Sequence, residues 1–471
     1  MTIFLLSTLA LILGYIIYGA FIEKILKVSP NRLMPAEKYA DGVDFVKMSP
    51  QKAFLIQFLN IAGLGPVFGA ILGALYGPIC LLWIVLGSIF AGGVHDFLAG
   101  ILSVRNKGRT IIFLVNLFFG KVFKALFLFV LTIFLIMVGA IFAQTPAHML
   151  ADMTSWSFEV WLSIVFGYYF LATLLPIDKI IGRFYPVFSV CLIVSSILLL
   201  IVLFVKGGNF YPDLTTINQH PKDLPIFPLM FITIACGAIS GFHATQSPLM
   251  ARCLTNEKYA RPIFYGAMIL EGFIALIWAT LGIAFYQSTD ALQTAINSGG
   301  AGIVVSQISK GFLGHWGSVL TVFAIISLTI TSGDTALRSA RIFCADLLKL
   351  EQKSIVKRLS LTIFVLAGGV LLSFVDITKI WVYFGWANQI LACFMLWIGT
   401  LYLRRKRYNY WISFIPALFM TSVCAAYFFY SPILLNLDIK ISQICGILFA
   451  LLCGALFFVR SRGELCSPDK Q

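Results

Sequence analysis

Residues 61–78 read IAGLGPVFGAILGALYGP, and residues 235–248 read ACGAISGFHATQSP. Each lies in an otherwise apolar stretch, and each is punctuated by glycine, proline or both. In a membrane helix such residues free backbone N–H and C=O groups that lipid cannot satisfy, so the break must line a protein cavity or water. A pair of interrupted helices at corresponding places in two halves of a chain is the sequence mark of a secondary transporter's binding site.

The rest of the chain supports a membrane setting. Of 471 residues 60% are hydrophobic and 11% charged, with a mean hydropathy of +0.94. These values exclude an ordinary soluble domain. A crossing needs about 20 apolar residues, and thirteen stretches qualify: residues 2–22, 53–75, 79–104, 122–142, 156–175, 184–205, 226–250, 263–287, 316–336, 361–374, 380–403, 410–430 and 441–459. Lys and Arg test this count, because they accumulate in cytoplasmic loops. With the N-terminus outside, the outer segments hold only Lys206, Lys222, Lys310, Lys379 and Lys440 of the 34 basic residues. The inner segments take all the others, including Lys349, Lys353 and Lys470. The net charge of +14 then belongs to an inner membrane face and calls for no nucleic-acid partner.

The first stretch lacks a basic leader region and an obvious cleavage site, so it is expected to stay as a helix. The ten cysteines show no paired spacing and read as small packing residues rather than as metal or disulfide sites. The polar connection at residues 23–52 suggests ordered turns, including its YADG end. Residues 111–119 are apolar but too short to cross, and a short helix is expected near residues 291–297. No cofactor motif and no catalytic motif is present, so an enzyme is not indicated.

The expected fold is therefore all-α and polytopic, with about 13 transmembrane helices, two of them discontinuous. The broken stretches are the second and the seventh, five apart. A repeat of five helices inverts its second copy, as an odd number must. Residues 53–225 and 226–408 would be the two repeats, residues 1–52 an extra helix and loop, and residues 409–471 two peripheral helices and a tail.

Candidate site residues follow from polar groups at membrane depth. Gly63, Leu64, Gly65 and Pro66 mark the first break. The glycines at 65, 69, 73 and 77 also recur every four residues, which favours close helix packing. Gly237, Ser240, Gly241, His243 and Gln246 mark the second. Buried carboxylates are expensive in a membrane and point to ion or substrate paths: Asp96 beside His95, Glu271 amid apolar neighbours, and Asp334. Asp334 has Arg338 four residues on, so a helix-end ion pair is the alternative there. Thr329, Thr331 and Ser332 offer hydroxyl oxygens for Na⁺, or serve as simple interhelical donors. Apart from such a Na⁺ site no metal is expected. Asn388 and Gln389 read as helix-contact amides.

IAGLGP (61–66), AGGVHDF (91–97) with SVRNKGR (103–109), GAISGFHA (237–244) and SGDTALRSAR (332–341) together resemble the carbon starvation protein A family, CstA, of peptide and pyruvate transporters. The resemblance implies a five-plus-five inverted-repeat fold like that of the amino acid-polyamine-organocation transporters and residence in the bacterial inner membrane. It also implies uptake of short peptides or small carboxylates under carbon starvation, with H⁺ as the coupling ion or Na⁺ by analogy. The chain departs from the family at Ile56 and Gln57, where members carry a His-His pair. A membrane receptor that senses the same ligands without moving them is the alternative function, and a channel lacks any repeated filter sequence.

Overall fold

A computed structural model describes residues 2–40, 45–174, 177–206, 218–348, 350, 355–375 and 377–465. Lys349, Lys353, Lys470 and the Asp41–Gly42 pair at the expected turn lie outside the described residues. Every regular element among the described residues is helical. Helices lie over all thirteen expected stretches. Among the described residues nine are long and apolar enough to cross a membrane, or ten if one bent pair is a single crossing. Residues 111–119 form the short helix Ile111–Phe119, and the expected short helix near residue 291 is the start of Thr289–Leu348, set off by non-helical glycines at 299 and 300.

The first break forms as its residues dictate. The helix Pro50–Ala62 opens on Ser49, whose side chain accepts from the Lys52 N–H, with Pro50 preset for the first turn. It ends at Gly63, whose φ of +48° is costly for any residue with a Cβ. A second piece, Gly65–Tyr76, departs at 55° to the first. The seventh stretch is more deeply interrupted. After the short turns Ile226–Met230 and Phe231–Thr233 the backbone leaves the helix over residues 234–242, with Gly237 at φ +86°, and His243–Ala251 resumes it.

The two breaks pack against each other. A Cβ on Gly65 would fall 1.7 Å from Cys236 Cβ, and one on Gly69 would fall 3.2 Å from the Thr233 carbonyl oxygen. One on Gly73 would meet Ile234 at 2.4 Å. On the opposite edge, a Cβ on Gly237 would lie 2.6 Å from Ala275 and 3.4 Å from Pro66 Cα. Gly65, Gly69 and Gly73 of the glycine stripe thus form a packing seam on the other interrupted helix, while Gly77 packs on Gln219. Without a hydrophobic drive between helices in lipid, such close backbone approach supplies the packing attraction.

Beyond the breaks, at the loop that follows Ala251, Glu257 is fully buried. Its carboxylate accepts from Arg32 Nε at 3.0 Å, from Arg105 Nε at 2.9 Å and from the Ser29 N–H at 2.8 Å. Arg105 also donates to Tyr402 Oη and to the Leu26 carbonyl. One acid and one arginine therefore join the ends of the first, third and eleventh stretches to the loop between the seventh and the eighth.

Candidate functional site

At the centre of the molecule the unwound backbone of residues 234–242 is held by side chains from three neighbouring helices. Ser88, in the irregular turn Gly87–Gly92 of the third stretch, donates to the Gly237 carbonyl at 2.9 Å. Glu271, from Ala267–Tyr286, accepts the Gly237 N–H through Oε1 at 3.1 Å. Asn388, from Ile377–Arg405, accepts the Phe242 N–H at 2.8 Å through Oδ1, and its Nδ2 donates to Ser240 Oγ at 3.0 Å. The Asn388 main-chain carbonyl accepts the Gly241 N–H at 3.2 Å. These contacts satisfy peptide groups that a broken helix would otherwise leave exposed to an apolar interior.

A chain of ionisable groups runs beside this backbone, and every member is buried. Asp96 accepts from both imidazoles: His95 Nδ1 lies 2.7 Å from Oδ1, and His243 Nδ1 lies 2.8 Å from Oδ2. The far side of the His243 ring points at Glu271, with Nε2 and Oε2 3.4 Å apart. Cys236 stands on the same side, its Sγ 3.3 Å from Ser240 Oγ and 3.6 Å from Asn388 Nδ2. The order is His95, Asp96, His243, Glu271, so the two carboxylates are each joined to the imidazole between them.

Of the residues singled out in the sequence, the structure gathers His95, Asp96, Gly237, Ser240, Gly241, His243 and Glu271 into this one cluster. Gly65 and Pro66 border it. Leu64 is buried, but its carbonyl already accepts the Phe68 N–H at 2.7 Å. Gln246 donates to its neighbour Thr245 at 2.8 Å, and Gln57 donates to Ser247 at 3.3 Å.

Thr331, Ser332 and Asp334 form a second group on Thr289–Leu348, which packs against Pro50–Ala62. Ser332 Oγ lies 3.5 Å from the Leu59 carbonyl, within one turn of the first break, whereas Thr331 Oγ1 donates to Ser327 and Leu328 of its own helix. Asp334 pairs with Arg338 at 3.8 Å, the helix-end partner expected from the spacing, and Arg338 also donates to the Ala172 carbonyl.

Three members of the central cluster were not expected there. Asn388 was assigned to helix contacts, but it braces the seventh break by three separate hydrogen-bonding groups. The signal available in the sequence was an amide at membrane depth, which needs an internal partner. Cys236 was read as packing, and it does pack on Gly65, but its sulfur joins the polar cluster. Ser88 lies in a glycine-flanked turn that periodicity does not distinguish from an ordinary helix.

Two broken helices meeting mid-fold, with buried acids and imidazoles around them, define an all-helical, multi-pass membrane protein built like the solute transporters. The similarity to solved structures agrees. MhsT in complex with L-phenylalanine superposes with a TM-score of 0.57 at 17% identity, over 86% of this chain and 98% of that one. An Eremococcus coleocola manganese transporter gives 0.51 at 15% identity, over 90% and 98%.

The family model for carbon starvation protein CstA matches residues 1–160, 145–310 and 284–426, and the chain belongs to that family. A membrane protein of Haemophilus influenzae is 43% identical over 63% of this chain and 94% of its own length. The peptide transporter CstA of Campylobacter jejuni is 27% identical over 69% of this chain, which spans 56% of that protein. The pyruvate/proton symporter BtsT of Escherichia coli is 25% identical over 87% of this chain and 78% of its own length.

Proposed function

We propose that this protein is a secondary active transporter that imports small organic nutrients, either short peptides or pyruvate-like carboxylates, across the bacterial inner membrane when carbon is scarce. The observation that carries this reading is the contact of Gly65 and Pro66 with Cys236 and Gly237, which brings two unwound backbones to one place. The N-terminal end of a half-helix suits a carboxylate and a C-terminal end suits a cation. The names of the Campylobacter jejuni and Escherichia coli relatives support the two solute classes.

In this reading the chain crosses the membrane thirteen times, with the N-terminus outside and the C-terminus in the cytoplasm. Residues 53–225 and 226–408 form inverted repeats that rock about the site. Gly63 to Pro66, with Gly237, Ser240, Gly241, His243 and Gln246, contact the solute. The coupling ion is H⁺, as in the name of the Escherichia coli relative, held along His95, Asp96 and Glu271. Na⁺ bound by Ser332, Thr331 and carbonyls of the first break, near Asp334, is the other cation this arrangement supports.

Counterflow in proteoliposomes tests the reading. Labelled pyruvate or a labelled dipeptide should accumulate against the same unlabelled solute inside, and an imposed pH or Na⁺ gradient should drive net uptake. Absence of counterflow for every solute of both classes would reject transport. Counterflow that ignores both gradients would reject coupling.

A further inference from the structure

We propose that Cys236, His243 and Glu271 form a three-ligand site for a soft divalent transition-metal ion of the zinc type. One ligand atom from each of the three side chains lies within 4.8 Å of the other two, and all three side chains are buried. In a tetrahedral zinc site, bond lengths of about 2.0 to 2.3 Å set the ligand atoms roughly 3.5 Å apart. The observed Nε2 to Oε2 separation of 3.4 Å already meets that value.

The atoms behind the three ligands strengthen the assignment. A histidine that binds a metal through Nε2 characteristically donates Nδ1–H to a carboxylate, which fixes its tautomer and aims the ring. His243 does this to Asp96 at 2.8 Å, and Asp96 is itself steadied by His95 at 2.7 Å. Glu271 has Oε1 engaged by the Gly237 N–H, so Oε2 is the oxygen turned to the imidazole. Asn388 Nδ2 stands 3.6 Å from the sulfur as a donor that would stabilise a thiolate, and the thiol itself is directed at Ser240 Oγ, 3.3 Å away.

Charge points the same way. A thiolate and a carboxylate beside a neutral imidazole carry two negative charges, which a dication cancels at the three ligands, while the Asp96 carboxylate behind them is met by two imidazole N–H groups. Three protein ligands leave a fourth tetrahedral position open to water or to a solute carboxylate, as in metal sites that exchange a ligand. The site spans the unwound seventh stretch and the eighth helix and shares His243 and Glu271 with the solute and proton path of the proposed function, so a bound ion would occupy that path; its binding does not itself require transport.

Cobalt(II) titrated into the purified, untagged full chain in detergent provides the test, since thiolate-bound cobalt has a near-ultraviolet charge-transfer band and tetrahedral cobalt absorbs strongly in the visible. Both bands should rise to saturation at one equivalent and fall when zinc is added. They should be lost in Cys236→Ser and retained in Cys393→Ser. X-ray absorption of the zinc-loaded wild-type chain should find a single sulfur in the first shell, a measurement that needs no variant. A folded wild-type chain that shows no thiolate band, a band that survives Cys236→Ser, or a zinc shell with no sulfur or with two would overturn the proposal. These readouts report binding alone, so they stand or fall apart from the counterflow experiment.

Discussion

His243 Nε2 and Glu271 Oε2 face each other at 3.4 Å across the gap between the interrupted seventh stretch and the eighth helix. Each group is oriented from behind, the imidazole by Asp96 and the carboxylate by the Gly237 N–H. The pair therefore couples an ionisable side chain to the very peptide group that the break exposes.

Glu271→Gln keeps an acceptor for the Gly237 N–H but removes the charge opposite His243. In proteoliposomes the variant should retain solute exchange while losing accumulation driven by an ion gradient. Accumulation equal to that of the wild-type protein would take Glu271 out of the coupling step.

Asp96 accepts two imidazole N–H groups, one on each oxygen. Asn offers a single acceptor oxygen and sets its NH₂ against the second ring. Asp96→Asn should therefore destabilise the fold by about 1 to 3 kcal/mol, the usual cost of one unmet buried donor. Thermal melting in detergent checks this, and an unchanged midpoint would show that one of the two contacts carries no weight.

The seam between the breaks should tolerate no side chain. Gly65→Ala sets a Cβ 1.7 Å from Cys236 Cβ, a clash that backbone must move to relieve. A sharp loss of folded protein is expected on size-exclusion chromatography. Gly167, in Phe158–Leu174, has nothing within 4 Å of its added Cβ, so Gly167→Ala should be neutral or gain up to about 1 kcal/mol from helix propensity.

Removing one partner of a buried ion pair costs about 3 to 5 kcal/mol, because the other charge is left uncompensated. Glu257 and Arg105 are such a pair, with side chains 0% and 9% exposed. Glu257→Gln should be strongly destabilising, Arg105→Gln less so because Arg32 still meets the acid, and the double variant less than their sum. Additive losses in a melting series would mean that the two side chains act independently.

The breaks were legible in the sequence because glycine and proline state a backbone requirement directly, whatever surrounds them. His95, Asp96, His243 and Glu271 were legible because ionisable groups are rare and costly at membrane depth. Their mutual arrangement was not legible, since Asp96 and His243 lie 147 residues apart and meet only through packing. Asn388 was missed because an amide in a membrane helix has many ordinary partners, and its task depends on a break 146 residues away. Glu257 escaped notice for a different reason. The loop charges carried topological information only through Lys and Arg, and nothing in a loop sequence says that its acid will be buried.

Under the proposed function, the glycine seam also limits how solutes can be told apart. Where Gly65, Gly69 and Gly73 lie against Cys236, the Thr233 carbonyl and Ile234, the second helix presents bare main chain, and main chain is chemically the same whatever the solute. On that reading, discrimination between a keto acid and a peptide would be written in side chains elsewhere, on the third, seventh, eighth and eleventh stretches. A change of diet in this architecture would be made by re-dressing those walls around an unaltered backbone floor.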